Sequence, residues 1–246
     1  MKITLSRFDG ETALHVPDSP QKLTIDDHYR GILLEYGLSR KLAVTGKLAA
    51  SRFQLHPHVI KRDLAMFGIM GDAPSLATGL LPPYLFKLLD NLLPNWHLHR
   101  EKQASLHIGY EHRRSDASSD ASSGASVDGY FIGFAMADKI SSKRWYLMQQ
   151  LESIETRLPQ ATEQQTQYDA ALGYGSWQIG SRAEQFRDTA GHYISLSLSV
   201  RLRYKPKGAA WEVTLGRGKR RIGRAAFPQG LLERGRIWSV EIQRRF

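Results

Sequence analysis

The stretch Tyr193–Tyr204, which reads YISLSLSVRLRY, decides the fold class. Its alternate residues on one side are almost all aliphatic, namely Ile194, Leu196, Leu198, Val200, Leu202 and Tyr204. Successive side chains of a strand point to opposite sides of the sheet, so this period of two predicts a strand with one apolar and one polar face. At about 3.3 Å per residue the strand is roughly 40 Å long, whereas strands of globular proteins usually contain about 5–6 residues.

The same alternation recurs along most of the chain. Apolar rows that alternate with small or polar residues occur at Ile32–Leu38, Leu42–Leu48, Leu106–Tyr110, Tyr130–Met136, Tyr168–Tyr174, Trp211–Leu215 and Trp238–Phe246. Less regular strands are predicted at Ile3–Phe8, Ala13–Val16, Ile60–Phe67 and Tyr146–Ile154. The sequence therefore predicts an all-β chain of roughly 10–12 strands, with residues 1–246 forming a single β-barrel domain.

Two features favour a membrane barrel over a soluble β-sandwich or a lipocalin-like barrel. The residues opposite the apolar rows are mainly Gly, Ala and Ser with isolated charges, which suits a narrow lumen. Tyr and Trp often end the apolar rows, as Tyr36, Tyr174 and Trp211 do, and the interfaces of a membrane require such belts. We therefore predict an antiparallel up-and-down transmembrane β-barrel, and the soluble β protein stays as the alternative.

One segment breaks the period of two and predicts a short helix in a loop. Leu85, Phe86, Leu88, Leu89, Leu92 and Leu93 follow helical spacing. Pro82 and Pro83 precede this run and Pro94 ends it, as prolines do at helix boundaries. We interpret the helix as a cover over a barrel mouth; a plug or an interfacial helix is the alternative.

Composition excludes several classes of protein. The 246 residues include no cysteine, which excludes a disulfide scaffold and any cysteine-ligated metal site. No window of about 18 uncharged apolar residues exists, which excludes a helical membrane protein. The amino-terminal MKITLSRFDG lacks the apolar core of a secretory signal, so for a protein of the cell outer membrane we expect the signal to have been removed.

The positive charge of the chain is concentrated near the carboxyl terminus. The net charge is +10, and Arg201–Phe246 contains 13 Lys and Arg against 3 Asp and Glu. The positive field is therefore local, and it predicts a surface or a lumen that meets anions.

Two stretches resemble outer-membrane β-barrel proteins of Gram-negative bacteria. The last strand, Ile237–Phe246, alternates apolar residues and ends in Phe246, which is similar to the signal that the barrel-assembly machinery reads. The stretch Glu35–Gly46 resembles a strand–turn–strand unit of small porin-like proteobacterial barrels of poorly defined function. The resemblance implies an outer-membrane location, contact with membrane lipid and lipopolysaccharide, and a role in transport.

The topology of such barrels tests the strand count. Long loops lie outside the cell and short turns in the periplasm. Counting strands backward from a periplasmic carboxyl terminus puts the long Ser/Ala loop Arg114–Asp128 on the periplasmic side. The discrepancy predicts a further strand between Tyr146 and Tyr193.

Charged and polar residues on the inward faces form the main candidate site. The predicted pore-lining residues are Glu35, Lys47, His107, Glu111, Asp169, Arg201, Arg203, Glu212, Glu241 and Arg245. Side chains of both signs in one lumen either pair or line a water path, and rings of Arg favour anions. We predict a passive channel or binding barrel for small anionic or polar solutes, in which Arg201, Arg203, Lys47 and Arg245 set selectivity.

A second candidate is the basic run near the carboxyl terminus. Its cations are Arg217, Lys219, Arg220, Arg221 and Arg224, in a predicted loop that begins at Lys219 and ends at Gly235. On a barrel this loop would contact lipopolysaccharide phosphates or other anions. The alternative is a soluble basic β protein that binds RNA or DNA through residues 217–224, although few aromatic residues are interleaved. The leading interpretation involves no nucleic acid.

Neither a metal site nor a catalytic site emerges from the sequence. His56 and His58, and likewise His97 and His99, are spaced as metal ligands could be, but no carboxylate has matching spacing. A lipid-modifying outer-membrane enzyme is a further alternative, but no serine and histidine are placed as nucleophile and base. We therefore predict a protein that is not an enzyme and has no cofactor.

Overall fold

The computed structural model describes residues 1–15, 22–55, 58–77, 79–80, 82–92, 97–117, 125–159, 161–188, 193–224 and 233–246. Within them, twelve antiparallel strands form one closed barrel. The strands are β1 (Lys2–His15), β2 (Lys22–Gly37), β3 (Leu42–Leu55), β4 (His58–Asp72), β5 (His99–Ala117), β6 (Ala125–Ser141), β7 (Trp145–Arg157), β8 (Thr162–Tyr174), β9 (Trp177–Asp188), β10 (Tyr193–Tyr204), β11 (Trp211–Arg224) and β12 (Glu233–Arg245). A 3-10 turn (Pro74–Leu76) and one helix, α1 (Pro83–Leu92), lie between β4 and β5. The predicted all-β barrel with one short helix is confirmed.

Each strand pairs with its neighbours in sequence, and β1 pairs with β12 to close the barrel. The seam runs from Lys2 opposite Arg245 to Ala13 opposite Arg234. No helix in the described residues has the length and apolar character needed to cross a membrane.

The two ends of the barrel differ in their connections. The terminal end, as we call the end with Met1 and Phe246, has short connections at 38–41, 142–144, 175–176 and 205–210, and the longer 73–98 segment. The opposite end, the loop end, is where β5 ends at Ala117 and β6 begins at Ala125, so the described flanks of the predicted Ser/Ala loop lie away from both termini, while residues 118–124 fall outside the described residues. The strand missing from the sequence-based count is β9, which lacks a long apolar row because its outward residues after Ile179 are small or polar. The predicted extra strand between Tyr146 and Tyr193 is confirmed.

The apolar rows face outward. Leu196 and Leu198 on β10 are 51% and 60% exposed, and Leu202, Leu215 and Ile179 beside them are also exposed. Nothing else in the described chain covers them. Outward-facing leucines at these levels of exposure are what a barrel wall in contact with hydrocarbon requires.

Aromatic rings lie against glycines of the inner wall. A Cβ on Gly173 would lie within 2.7 Å of the Tyr146 ring and hydroxyl, and one on Gly109 within 2.6 Å of the Phe131 ring. Gly31 accommodates Tyr29 in the same way. These glycines leave space for rings that would otherwise fill the lumen.

The segment before β5 packs on the outer wall. A Cβ on Gly79 would lie within 3.1 Å of Arg100, Lys102 and Asp138, and Phe86 of α1 lies 5.7 Å from the Arg100 guanidinium. These partners belong to outward-facing rows of β5 and β6, so the prediction that the helix covers a barrel mouth is wrong. The contacts instead bury an outward-facing ion pair between Arg100 and Asp138, with Nη2 2.6 Å from Oδ2.

The predicted basic loop is strand wherever the structure describes it, at 219–224 and 233–235, and residues 225–232 lie outside the described residues. β11 continues to Arg224, so Arg217, Lys219, Arg220, Arg221 and Arg224 all belong to it. The backbone of Arg217–Arg224 pairs with β10, in register from Val200 to Tyr193. The predicted loop begins too early because the outward side of β11 changes from apolar to basic at Arg217, where the hydrophobic alternation ends.

Candidate functional site

The inner wall from β8 to β12 carries a chain of ion pairs centred on Arg201. Its guanidinium contacts the Glu241 carboxylate, and Nη1 lies 3.6 Å from Oδ1 of Asp169. Asp169 also accepts hydrogen bonds from Arg182, at 2.8 and 3.1 Å. Gly216 lies opposite Arg201 in the ladder, and its missing side chain lets Arg201 reach from β10 to β12. Because Asp169 and Arg201 are buried, this pairing offsets the cost of removing their charges from water.

Arg203, two residues further along β10, joins a second network. Its Nε lies 3.6 Å from Oε1 of Glu212 and 3.4 Å from Oγ1 of Thr214. Its Nη1 donates to Oε1 of Gln178 at 3.3 Å, and the Tyr146 hydroxyl donates to the same oxygen at 2.8 Å. The network connects side chains of four strands: β7, β9, β10 and β11.

A third cluster lies on β5, β7 and β8. Glu111 is only 1% exposed, and Arg113 contacts it while also placing Nη2 2.6 Å from Oε2 of Glu163. Thr156 donates from Oγ1 to Oε2 of Glu111 at 3.3 Å. Glu111 therefore has a cation and a hydroxyl as partners and acts as a structural anchor of this wall.

Arg220 faces inward, unlike the flanking cations of the basic run. It reaches from β11 across β12 and β1 to Asp27 on β2, with Nη1 2.6 Å from Oδ2. Phe8 lies under the guanidinium at 5.6 Å, and a Cβ on Gly10 would come within 3.2 Å of Nη2. The predicted anion-contacting role is therefore wrong for Arg220, whose charge is used inside the barrel.

The other cations of the basic run lie on the outer wall. Arg217, Lys219 and Arg221 are exposed, and Arg217 lies 4.5 Å from the centre of the Trp238 ring. The side chain of Arg224 lies outside the described residues. Because the strand sends neighbours to opposite faces, residues 217–224 do not form one continuous basic surface.

All ten predicted pore-lining residues occupy inward-facing rows. The structure brings together Asp169, Arg201 and Glu241, and separately Arg203 and Glu212. Glu35 pairs with Lys2 at 2.9 Å near the terminal end, where Arg245 is exposed opposite Lys2. Three further inward residues of these clusters, Arg182, Gln178 and Arg113, were not predicted from the sequence. Arg182 and Gln178 lie on the overlooked strand β9, and Arg113 lies just beyond the apolar row of β5.

Lys47 differs from the paired arginines. Its Nζ lies 5.8 Å from the Tyr29 ring centre, and none of the described carboxylates forms an ion pair with it. It is half-buried on β3, among the small inward-facing side chains of Thr45 and Ala49. Lys47 therefore presents a positive charge to the interior that no described neighbour neutralises.

One serine–histidine contact exists inside the barrel, and the sequence analysis did not pair these two residues. Ser105 Oγ lies 3.0 Å from Nε2 of His107. No described carboxylate bonds to the other ring nitrogen of His107, so the third member that orients a catalytic histidine is missing from the described contacts.

Among the described residues, no three His, Asp or Glu side chains lie close enough together to hold a metal ion. His56 and the side chain of His58 lie outside the described residues, and His97 and His99 are exposed.

Comparisons with known proteins place the barrel among outer-membrane folds. The chain matches no protein-family model, and it matches no curated protein. Among solved structures it is similar to the transport unit of the autotransporter AIDA-I from Escherichia coli, with a TM-score of 0.54, 8% identity and coverage of 100% of this chain and 91% of that one. It is also similar to the translocator domain of the autotransporter NalP from Neisseria meningitidis, with a TM-score of 0.51, 7% identity and coverage of 100% and 88%.

A third similar structure is an outer membrane channel from Pseudomonas putida F1, with a TM-score of 0.49, 8% identity and coverage of 100% and 95%. At these identities the similarity concerns the fold alone. Together with the closed antiparallel barrel, its apolar exterior and its charged interior, the comparisons show that this chain is a 12-strand β-barrel of the outer-membrane type.

Proposed function

We propose that the barrel spans an outer membrane and passes or binds small polar solutes, with a preference for anions and without converting them chemically. The main support for the proposal is that apolar side chains face outward and charged side chains face inward, the reverse of the arrangement in a soluble protein. Leu196 and Leu198 are exposed outside, whereas Asp169 and Arg201 are buried inside. An exposed apolar surface of this extent is unfavourable in water and favourable in hydrocarbon.

An aromatic cluster supports the membrane setting. Trp177 and Tyr204 lie 4.5 Å apart between ring centres, and Tyr204 and Trp211 lie 6.3 Å apart, all at the terminal end of the outer wall. Such rings suit the boundary between hydrocarbon and headgroups. They supply one edge of the apolar belt.

The two sides of the interior differ in exposure, which supports an off-centre path. In the middle of β10 and β11 the inward residues are buried, from Ser199 to Arg201 and from Glu212 to Gly216. Those on β3, including Thr45, Lys47 and Ala49, are half-buried. Open space therefore lies beside β3, and we assign the solute path to that wall.

Anion preference in this proposal comes mainly from Lys47. Asp169, Glu241 and Glu212 offset the charges of Arg201 and Arg203, which leaves these arginines a smaller part in selectivity than the sequence alone suggests. Arg245 adds positive charge at the terminal end of the same path. A lone cation beside small side chains attracts anions more strongly than a cation already paired.

Lipid and assembly partners complete the proposal. Arg217, Lys219 and Arg221 face outward, where lipopolysaccharide phosphates would meet them. Phe246 is exposed at the end of β12, where the barrel-assembly machinery would recognise it.

Conductance across planar bilayers tests the channel. We expect Lys47→Gln to shift the reversal potential in a KCl gradient toward weaker anion selectivity. Lys219→Gln is the matched control, because it removes the same charge from the outer wall, and we expect no shift. A folded barrel that conducts no ions, or equal shifts in both variants, would contradict the proposal.

A further inference from the structure

A trough of about 680 Å³ lies on the outer wall, across β12, β1, β2, β3, β4 and β5. Its apolar lining includes Leu5, Ile32 and Leu48, all exposed. The small side chains of Ala50 and Ala65 make the surface concave there. The trough is continuous with the apolar rows of the barrel exterior, because Val240 and Ile242 of β12 line its first edge.

Two arginines mark the side of the trough that is nearer the loop end. Arg7 on β1 and Arg30 on β2 are directly opposite each other in the ladder, and both face outward. Like charges directly opposite each other destabilise a sheet unless something offsets them. Arg7 donates to Asp9 at 2.8 Å, but Arg30 forms no ion pair with any described side chain.

The remaining polar groups of the trough lie at its far end. Asp63 on β4 and His112 and Arg114 on β5 line it there. His112 contacts Asp128, with Nδ1 2.6 Å from Oδ1, which directs its ring away from the two arginines. Positive charge therefore dominates the half of the trough that adjoins Leu5 and Ile32.

We propose that this trough binds a phosphorylated membrane lipid, with its phosphate between Arg7 and Arg30 and an acyl chain over Leu5, Ile32 and Leu48. An anionic phosphate would relieve the repulsion between the two guanidiniums through charge-assisted hydrogen bonds. The apolar lining lies next to the arginines, on the side nearer the terminal end, and the acyl chain of the same lipid can cover it. A soluble anion would leave that apolar surface uncovered. The inference rests on the membrane setting of the proposed function, but it does not require a conducting channel.

Native mass spectrometry from detergent micelles tests the site with dioleoyl phosphatidic acid as the probe. We expect the full chain to retain one phosphatidic acid per barrel, and to retain dioleoylglycerol about tenfold less, because dioleoylglycerol lacks the phosphate that accepts charged hydrogen bonds from the two arginines. The double variant Arg7→Gln with Arg30→Gln should lose this preference. Ala50→Leu, which fills the trough without changing its charge, should weaken retention of the lipid.

The matched control is Arg217→Gln with Lys219→Gln, which removes two outward charges from β11, outside the trough, and should bind like the unmodified chain. If both double variants lose the preference for phosphatidic acid equally, the lipid is held by general attraction to positive charge on the barrel, and the proposed site is wrong. Competition by inorganic phosphate at equal concentration would overturn the lipid as occupant. Because Arg7 and Arg30 face outward, their replacement should leave conductance unchanged, so a barrel that retains the lipid but conducts no ions would contradict only the channel.

Discussion

Arg201 shows how burial determines what an ion pair contributes. Removing one partner of a buried pair leaves an uncompensated charge and costs about 3–5 kcal/mol, whereas an exposed pair contributes about 0–1 kcal/mol. Arg201 is buried between Asp169 and Glu241, while the side chains of Arg157 and Glu155 are 74% and 37% exposed. The chain thus offers both cases in one fold.

We therefore expect Arg201→Ala to lower the free energy of unfolding by about 3 kcal/mol, and Arg157→Ala by less than about 1 kcal/mol. Urea unfolding in detergent micelles, followed by tryptophan fluorescence, measures both. If the two variants unfold at the same urea concentration, the Asp169–Arg201–Glu241 chain of contacts does not stabilise the barrel.

The inward direction of Arg201 could be predicted from sequence, but its partners could not. Alternation along Tyr193–Tyr204 fixes which face each residue takes. The pairing with Glu241 depends on the register of β10, β11 and β12 and on the absence of a side chain at Gly216. Residues 40 positions apart come together only through that register.

At the scale of elements, β9 and β11 show where alternation stops being informative. β9 begins with the outward residues Trp177 and Ile179 but continues with Ser181 and Ala183. β11 similarly follows Leu215 with Arg217. The strands continue beyond their apolar residues because the hydrogen bonds between strands involve the backbone and do not need apolar side chains. The sequence therefore predicts the apolar part of a strand better than its ends.

The segment before β5 depends on Gly79. Its φ of +88° suits glycine, and a Cβ there would lie 2.9 Å from Nη2 of Arg100. Gly208 has a similar φ of +77°, but a Cβ at that position would meet no heavy atom within 4 Å. Replacing Gly208 therefore measures the energetic cost of the backbone conformation alone. The two glycines therefore separate conformational strain from contact.

We expect Gly208→Ala to cost about 1–2 kcal/mol, the penalty of a left-handed backbone, and Gly79→Ala to cost more because it also displaces Arg100 from Asp138. Hydrogen exchange should then rise across residues 74–92 in Gly79→Ala alone, while β5 stays protected. Unchanged exchange in that segment would show that α1 does not depend on this contact.

For the whole molecule, the outward apolar rows predict behaviour that a soluble β protein would not share. We expect the barrel to require detergent for extraction, and to migrate faster in gel electrophoresis before boiling than after it, because the closed barrel stays compact in detergent. A chain that remains monomeric in buffer without detergent would contradict the membrane assignment and favour the soluble alternative.

The distribution of charge over the whole molecule differs from the simplest expectation. Only part of the basic carboxyl-terminal fifth lines the lumen: Arg201 and Arg203 face inward, Arg217, Lys219 and Arg221 face outward, and the inward Arg220 is paired with Asp27. Composition revealed the excess of positive charge, but only the strand register shows which face receives it.

The seam between β1 and β12 has a consequence for biogenesis. Lys2 meets Arg245, and Phe246 donates its amide hydrogen to the Met1 carbonyl at 2.9 Å, so β1 finds its second neighbour only in β12, the described strand furthest from it along the chain. A partly folded barrel in which β12 is not yet paired would carry two unsatisfied strand edges, each open to pairing with other chains. Closure therefore depends on β12, and the free edge of β1 must be shielded until that strand is in place.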